Sequence, residues 1–143
     1  MKRIVLMIVP ALICGMVFTS CGSDKAMLAD DEIDGTYSGT FTVKYFVEMP
    51  ASWGKGSGTT TLELKDGKYT CTGNPNRIPA GGSGNYSIKG NKIIFEEIHF
   101  WTADFDGNLI LQGEYDFTFN GKRLKISANK NGVGNYEYDL KKE

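Results

Sequence analysis

Strict alternation of apolar and polar residues constrains this chain more than any other feature. In GTYSGTFTVKYFV, which begins at residue 35, every second residue belongs to one mainly apolar face. That face consists of Tyr37, Gly39, Phe41, Val43, Tyr45 and Val47. LILQGEYDFTFN repeats the pattern from Leu109 to Phe119. A period of two is typical of a strand with one buried face, and no convincing helical stripe follows the N-terminal segment. The alternation predicts an all-β domain.

Short turns between the alternating segments predict which side chains face each other, because a tight hairpin fixes its register. The predicted turns are Asp66-Gly67, Gly90-Asn91, Asn120-Gly121 and Asn131-Gly132-Val133. The predicted pairs are Leu64 with Tyr69, Leu62 with Cys71, Ile88 with Ile93, Tyr86 with Phe95, Phe117 with Leu124, Tyr115 with Ile126, Ala128 with Tyr136, and Ile126 with Tyr138. Every pair joins two residues of the same face, so all four registers are self-consistent.

The number and order of the strands predict the architecture. Eight strands are expected, at 35–47, 57–65, 68–73, 84–89, 92–100, 109–119, 122–130 and 133–141. Antiparallel strands in chain order, each with one apolar face, close most simply as an up-and-down barrel, which leaves no exposed sheet edge. A sandwich of two β-sheets is the alternative.

The first 21 residues have the form of an export signal. Lys2 and Arg3 precede an apolar run that ends near Phe18 and is interrupted by Pro10, so it is poorly suited to span a bilayer. Phe18-Thr19-Ser20-Cys21 resembles the lipobox of bacterial lipoproteins, in which the cysteine is lipidated and becomes the first mature residue. We therefore expect a signal peptide at 1–20 and a lipid anchor on Cys21.

Residues 22–34, GSDKAMLADDEID, are short, polar and acidic, and with Cys21 they are interpreted as a flexible tether before a barrel domain at 35–143. A lipobox, a short tether and the opening GTYSGTF together resemble small lipoproteins of Bacteroidetes with a calycin-like or lipocalin-like barrel. The resemblance implies a place in the cell envelope, anchored by lipid to the outer membrane on its periplasmic or surface face.

Charge and cysteine content exclude some classes of function. Without Lys2 and Arg3, 14 of the 16 basic residues remain against 17 acidic ones, a formal charge of −3. There is no basic stripe for a phosphate backbone, so nucleic acid is excluded as a partner. Cys71 is the one cysteine within the domain, so no disulfide can form inside it, and its place in the alternation predicts a buried, inert thiol.

Loop lengths predict where binding would occur. In an up-and-down barrel the long loops at 48–56, 73–83 and 100–108 share one end. The tight turns Asp66-Gly67, Gly90-Asn91 and Asn120-Gly121 and the entry of the tether lie at the other end. The long loops and their borders supply the candidate ligand-binding residues Met49, Trp53, Arg77, Ile78, His99, Trp101 and Phe105. An equally weighted alternative has both tryptophans folded inward as lids on the core.

The stretch EEIHFWTADFDGN at 96–108 also raises the possibility of catalysis or metal binding. Glu96 and Glu97 are adjacent in a strand, so they face opposite sides and cannot form a carboxylate dyad. His99 has no nucleophile near it in sequence. The segment 104–108 begins like a calcium loop, but its glycine is fourth rather than sixth, and an Asp-Gly turn explains the same residues. We predict no catalytic residue, no metal and no cofactor.

Two functions remain open. The first is a lipid-anchored envelope protein that binds a small apolar or glycan ligand at the loop end without catalysis. The second is an interaction or structural protein of the envelope, or a hydrolase inhibitor, that uses the same loops on a protein partner. A concave site between Trp53 and Trp101 would favour the first, and a convex apolar loop tip would favour the second.

Overall fold

A computed structural model describes residues 28–50, 56–102 and 104–143. The predicted signal peptide, Cys21 and Trp53 lie outside these ranges. Eight antiparallel strands form a closed barrel in chain order. They are β1 (Gly35–Tyr45), β2 (Gly56–Lys65), β3 (Lys68–Cys71), β4 (Gly82–Lys89), β5 (Lys92–Glu97), β6 (Gly113–Phe119), β7 (Arg123–Lys130) and β8 (Gly134–Lys142). The prediction of a lipocalin-like up-and-down barrel is confirmed, and the two-sheet alternative is excluded.

Three of the four predicted hairpin registers are confirmed. The exception is the β6–β7 hairpin, where Phe119 rather than Phe117 lies opposite Leu124. The turn lies one residue later than predicted, because the Asn120 N–H donates to the Arg123 carbonyl at 3.3 Å and the Asn120 side chain accepts hydrogen bonds from the backbone N–H groups of Lys122 and Arg123. The register therefore differs by two residues, a shift that keeps every side chain on its predicted face.

The barrel interior is filled by side chains from the inward faces of the strands. Tyr37, Phe41, Tyr136 and Tyr138 are completely buried. The Phe41 ring lies 4.6 Å from the Tyr138 ring, centroid to centroid. The predicted burial of Cys71 is also confirmed, and burial raises the pKa of its thiol to about 11. Aromatic packing of this kind is how an eight-stranded barrel becomes a core rather than a pore.

Asp30–Asp34 covers the end of the barrel that carries the tight turns, and we call this segment the plug. Its 3-10 helix, Asp30–Ile33, buries the Ile33 side chain completely. The Tyr86 hydroxyl donates to the Asp34 carboxylate at 2.6 Å, and the Asp66 backbone N–H donates to its other oxygen at 3.0 Å. The prediction of a free tether is therefore wrong for these residues, because their acidic side chains accept specific hydrogen bonds.

A second segment, Asp106–Leu111, covers the end that carries the long loops, and we call it the lid. Leu109, Ile110 and Leu111 are all buried, so they do not alternate as a strand would. The Ala80 backbone N–H donates to the Leu109 carbonyl, and the Leu111 N–H donates to the Gly81 carbonyl. Consequently β5 ends before the predicted residue 100, and β6 begins after the predicted residue 109. Within the described residues, no helix is long and apolar enough to cross a bilayer.

Candidate functional site

The lid is held on the barrel by one buried carboxylate. Asp106 is 3% exposed, and its Oδ2 atom accepts hydrogen bonds from the hydroxyls of Tyr136 at 2.6 Å and Tyr45 at 3.1 Å. Its Oδ1 atom accepts from the backbone and side-chain nitrogens of Asn108. Burial and the adjacent carboxylate both raise the pKa of the two tyrosines. Because Tyr45 lies on β1 and Tyr136 on β8, Asp106 ties the lid to two neighbouring strands.

A partly buried lysine lies beside the lid. Lys130 is on the inward face of β7, and its Nζ atom donates to the Gln112 carbonyl at 2.6 Å. The same amine lies 4.4 Å from the centre of the Tyr115 ring. Burial lowers the pKa of Lys130 to about 8, although Asp106 partly opposes this effect. The loop end therefore places a poorly hydrated amine next to its lid.

Glu97 is a second buried carboxylate, which the sequence analysis did not identify as a site residue. Its side chain is 4% exposed and accepts backbone N–H bonds from Ser83 at 2.9 Å and His99 at 2.8 Å. Burial acts to raise the pKa of Glu97, but these hydrogen bonds outweigh burial and leave the pKa below its usual range. The strand period contained the signal, since Glu97 is in phase with the buried residues Ile93 and Phe95.

The predicted site residue His99 lies beside Ser83, which is 16 residues away in sequence. Its Nδ1 atom lies 3.0 Å from the Ser83 hydroxyl and 3.1 Å from the Glu97 carboxylate. A serine–histidine–acid relay needs the serine and the acid on different ring nitrogens, whereas here both contact the same one. The geometry is that of an imidazole held at the surface by Glu97, and the side chain is 61% exposed.

Three predicted site residues meet at one corner of the loop end. The Arg77 guanidinium carbon lies 4.8 Å from the centre of the Phe105 ring, and the Trp101 ring packs edge-on against Phe105 at 6.1 Å. Arg77 also forms an ion pair with Asp104. We call Arg77, Phe105 and Trp101 the aromatic stack. The Trp101 indole N–H is buried without a hydrogen-bond partner among the described residues, although Glu97 lies nearby.

The other predicted site residues do not join this stack. Ile78 is buried in the hydrophobic core, so its side chain is not an exposed contact. Met49 is partly buried and lines a shallow depression of about 280 Å³ beside Tyr45 and Val47. Trp53 lies outside the described residues, so a concave site between Trp53 and Trp101 stays a prediction.

Two pairs of exposed apolar side chains stand on opposite sides of the loop end, and the sequence pattern did not predict them. The large hydrophobic side chains that stand exposed in the described part of the chain are Phe46, Val47, Ile98 and Phe100. They follow either β1 or β5, and their exposed fractions run from 49% to 98%. Val47 was predicted to face inward, which is wrong because β1 ends at Tyr45 and the alternation stops there. We call these four residues the apolar rim.

The two aspartates of the calcium-like segment have separate partners. Asp104 pairs with Arg77 on the surface, whereas Asp106 is buried under the lid by Tyr45 and Tyr136. Over residues 28–50, 56–102 and 104–143, no group of three or more His, Cys, Asp or Glu side chains is arranged to hold a metal ion. Hydrogen bonding thus accounts for both carboxylates.

Comparisons with known proteins identify no relative of this chain. No protein-family model matches the chain, and searches of curated proteins and of solved structures find no significant match. A closed β-barrel supports many unrelated activities, so the fold alone does not indicate one. The lid, the aromatic stack and the apolar rim are the structural features that bear on function.

Proposed function

We propose that this chain is an envelope binding protein, anchored to the outer membrane by lipid on Cys21, that docks on a protein partner through its loop end. One observation carries the proposal: the exposed large apolar side chains of the described residues gather at this end. Because β1 and β5 lie four strands apart in the closed barrel, the two exposed pairs flank the mouth, so a partner that contacts both must span it. Exposed large apolar side chains mark interaction sites, and aromatic residues dominate the binding energy of protein interfaces.

The filled interior of the barrel favours a macromolecular partner over a small apolar ligand. Tyr37, Phe41 and Tyr138 fill the interior, and the lid covers the mouth. Phe100, by contrast, is 98% exposed and projects from the loop end. Such a side chain gains most when it enters an apolar recess on another protein. The partner should therefore present an apolar patch with a recess for an aromatic ring.

The position of the plug supports the same direction of docking. The chain enters the barrel beside the plug, at the end opposite the lid. An anchor at Cys21 would put the plug end nearest the bilayer. The apolar rim would then face away from the membrane, where a partner in the envelope could reach it.

A small glycan or apolar ligand on the aromatic stack is the second candidate. The observation that favours it is the combination of Trp101, Phe105 and the Arg77–Asp104 ion pair at one corner. Aromatic faces stack on flat apolar surfaces, and a paired guanidinium and carboxylate offer donors and acceptors beside them.

Site-specific photocrosslinking in intact cells tests the partner proposal. A photoreactive residue at Phe46 or Phe100 should capture the same protein, whereas one at Lys122, in a tight turn of the opposite end, should not. With the captured protein purified, the double variant Phe46→Ser/Phe100→Ser should weaken binding about 10-fold or more. Capture of the same protein from Lys122, or unchanged affinity of the double variant, would contradict the proposal.

Thermal shift against neutral glycans and fatty acids separates the second candidate from the first. A ligand of the aromatic stack should raise the Tm of the wild type and of Phe46→Ser, and the rise should disappear in Trp101→Ala. Absence of any shift in the wild type removes this candidate. A shift that survives in Trp101→Ala would place the ligand elsewhere.

The anchor has its own test. Metabolic labelling with a fatty acid should label the wild type and the Cys71→Ala variant, but not Cys21→Ala. The buried Cys71 is the matched control because it shares the residue type without the lipobox. Label retained in Cys21→Ala would contradict the anchor while leaving the docking proposal intact.

A further inference from the structure

Two tyrosine hydroxyls inside the barrel have no protein hydrogen-bond partner among the described residues. They belong to Tyr115 on β6 and Tyr138 on β8, whose side chains are at most 1% exposed. The two rings pack edge to face with their centres 6.2 Å apart. Buried tyrosine hydroxyls are nearly always hydrogen-bonded, because burying one without a partner costs the hydration of the hydroxyl and returns no hydrogen bond. Two such groups together call for a shared explanation.

Neighbouring polar groups are already in use. The Tyr69 hydroxyl donates to the Leu111 carbonyl of the lid at 2.6 Å. The Cys71 sulfur lies 3.3 Å from the Thr60 hydroxyl. The Gln112 backbone is near Tyr115 but does not meet hydrogen-bond geometry with its hydroxyl. Protein groups therefore leave both hydroxyls unsatisfied.

We infer that ordered water occupies the barrel interior beneath the lid and bridges the hydroxyls of Tyr115 and Tyr138. Water suits the site because one molecule both donates and accepts, and buried water typically makes about three hydrogen bonds. An apolar guest would not suit it, since a hydrocarbon chain would leave both hydroxyls unsatisfied.

Removal of one hydroxyl should change the Tm in opposite directions, depending on whether water bridges the two hydroxyls. If water bridges the pair, Tyr138→Phe leaves the water without one of its hydrogen-bond partners. The Tm of the full chain should then fall by about 3–6 °C. If the hydroxyl has no partner at all, the same variant removes a buried unsatisfied group and the Tm should rise. Tyr136→Phe is the calibrating control, because its hydroxyl bonds to Asp106 and its loss should lower the Tm in either case.

A double variant tests whether the two hydroxyls share one water molecule. With a common water, Tyr115→Phe/Tyr138→Phe should lower the Tm by clearly less than the sum of the single variants. A crystal structure at atomic resolution should show a water within about 2.6–3.2 Å of both hydroxyl oxygens in the wild type. A rise in Tm for Tyr138→Phe, or a dry interior in that structure, would overturn the inference.

Discussion

The two ends of the barrel are closed by similar devices that bury different chemistry. At each end a short segment crosses the opening and an aspartate accepts a 2.6 Å hydrogen bond from a tyrosine hydroxyl, Asp34 from Tyr86 at one end and Asp106 from Tyr136 at the other. The plug inserts an apolar side chain, Ile33, into the core. The lid also buries apolar side chains, Leu109, Ile110 and Leu111, but its region adds a buried carboxylate and a partly buried amine.

Because of this difference, we expect folding stability and binding to depend on opposite ends of the barrel. Burial of an apolar side chain stabilises the fold directly, whereas burial of Glu97, Asp106 or Lys130 has a desolvation cost that hydrogen bonds must offset. The lid end also carries the exposed apolar rim, which the plug end lacks within the described residues. We therefore expect substitutions at the plug to act mainly on folding, and those at the rim to act mainly on binding.

The largest expected effect is at the plug. Ile33→Ala should lower the free energy of unfolding by about 4 kcal/mol, because it removes a fully buried side chain and leaves a cavity. Denaturant unfolding of the full chain measures this loss. Ile98→Ala on the exposed rim is the matched control and should change stability by no more than about 0.5 kcal/mol. Similar losses for both would remove the proposed division of roles.

At the lid, Asp106→Ala should cost about 3 kcal/mol, because the hydroxyls of Tyr45 and Tyr136 lose their acceptor in a dry site. Asp106→Asn keeps an acceptor oxygen and should cost roughly half as much. Chemical denaturation of both variants provides the comparison. A loss below about 1 kcal/mol for Asp106→Ala would mean that the lid is not held by this carboxylate.

Lys130 gives the lid end a pH dependence in the mildly alkaline range. Its pKa is about 8 in the folded state and 10.5 when unperturbed, so the unfolded chain binds more protons between these values and stability rises with pH. Between pH 7.5 and 9.5, the wild type should gain about 1–2 kcal/mol relative to Lys130→Met. The Cys71 thiol titrates in both proteins, so the difference isolates the lysine. Parallel curves would contradict the burial of its amine.

The smallest expected effect is at the partly exposed Asp34. Asp34→Ala should lower the free energy of unfolding by about 1 kcal/mol, because the Tyr86 hydroxyl keeps a second acceptor in the Asp30 carbonyl. Asp31→Ala, in the same segment but fully at the surface, should have no measurable effect. If Asp34→Ala destabilised as much as Asp106→Ala, the two ends would be equivalent in their polar contacts.

The strand period predicted the wall of the barrel but not its two closures. Alternation and turn chemistry depend on neighbouring residues, so they predicted the eight strands and most of the pairings. The β6–β7 register was missed because hydrogen bonds of Asn120 place the turn at Gly121-Lys122 instead of Asn120-Gly121. Extending the inward phase of β5 by one step would have identified Glu97.

The closures depend on contacts between residues far apart in sequence. Asp34 appeared to belong to a solvated acidic run, since composition cannot indicate that Tyr86 donates to it from 52 positions away. The stack of Arg77, Phe105 and Trp101 was predicted as a set of loop residues, but its geometry depends on how two loops cross the mouth. The apolar rim was missed because strand ends, unlike strand interiors, have no periodic signal.

The plug also relates the beginning of the domain to its end, which affects the order of folding. The Lys142 amine donates to the Asp34 carbonyl across 108 positions, and β1 pairs with β8 as well as with β2. Hairpins between neighbouring strands form quickly, whereas joining the first strand to the last carries the entropy of closing almost the whole chain. Until the final strand is available, β1 has an unpaired edge that can join another chain. Pairing of β8 with β1 is therefore the step that removes this open edge.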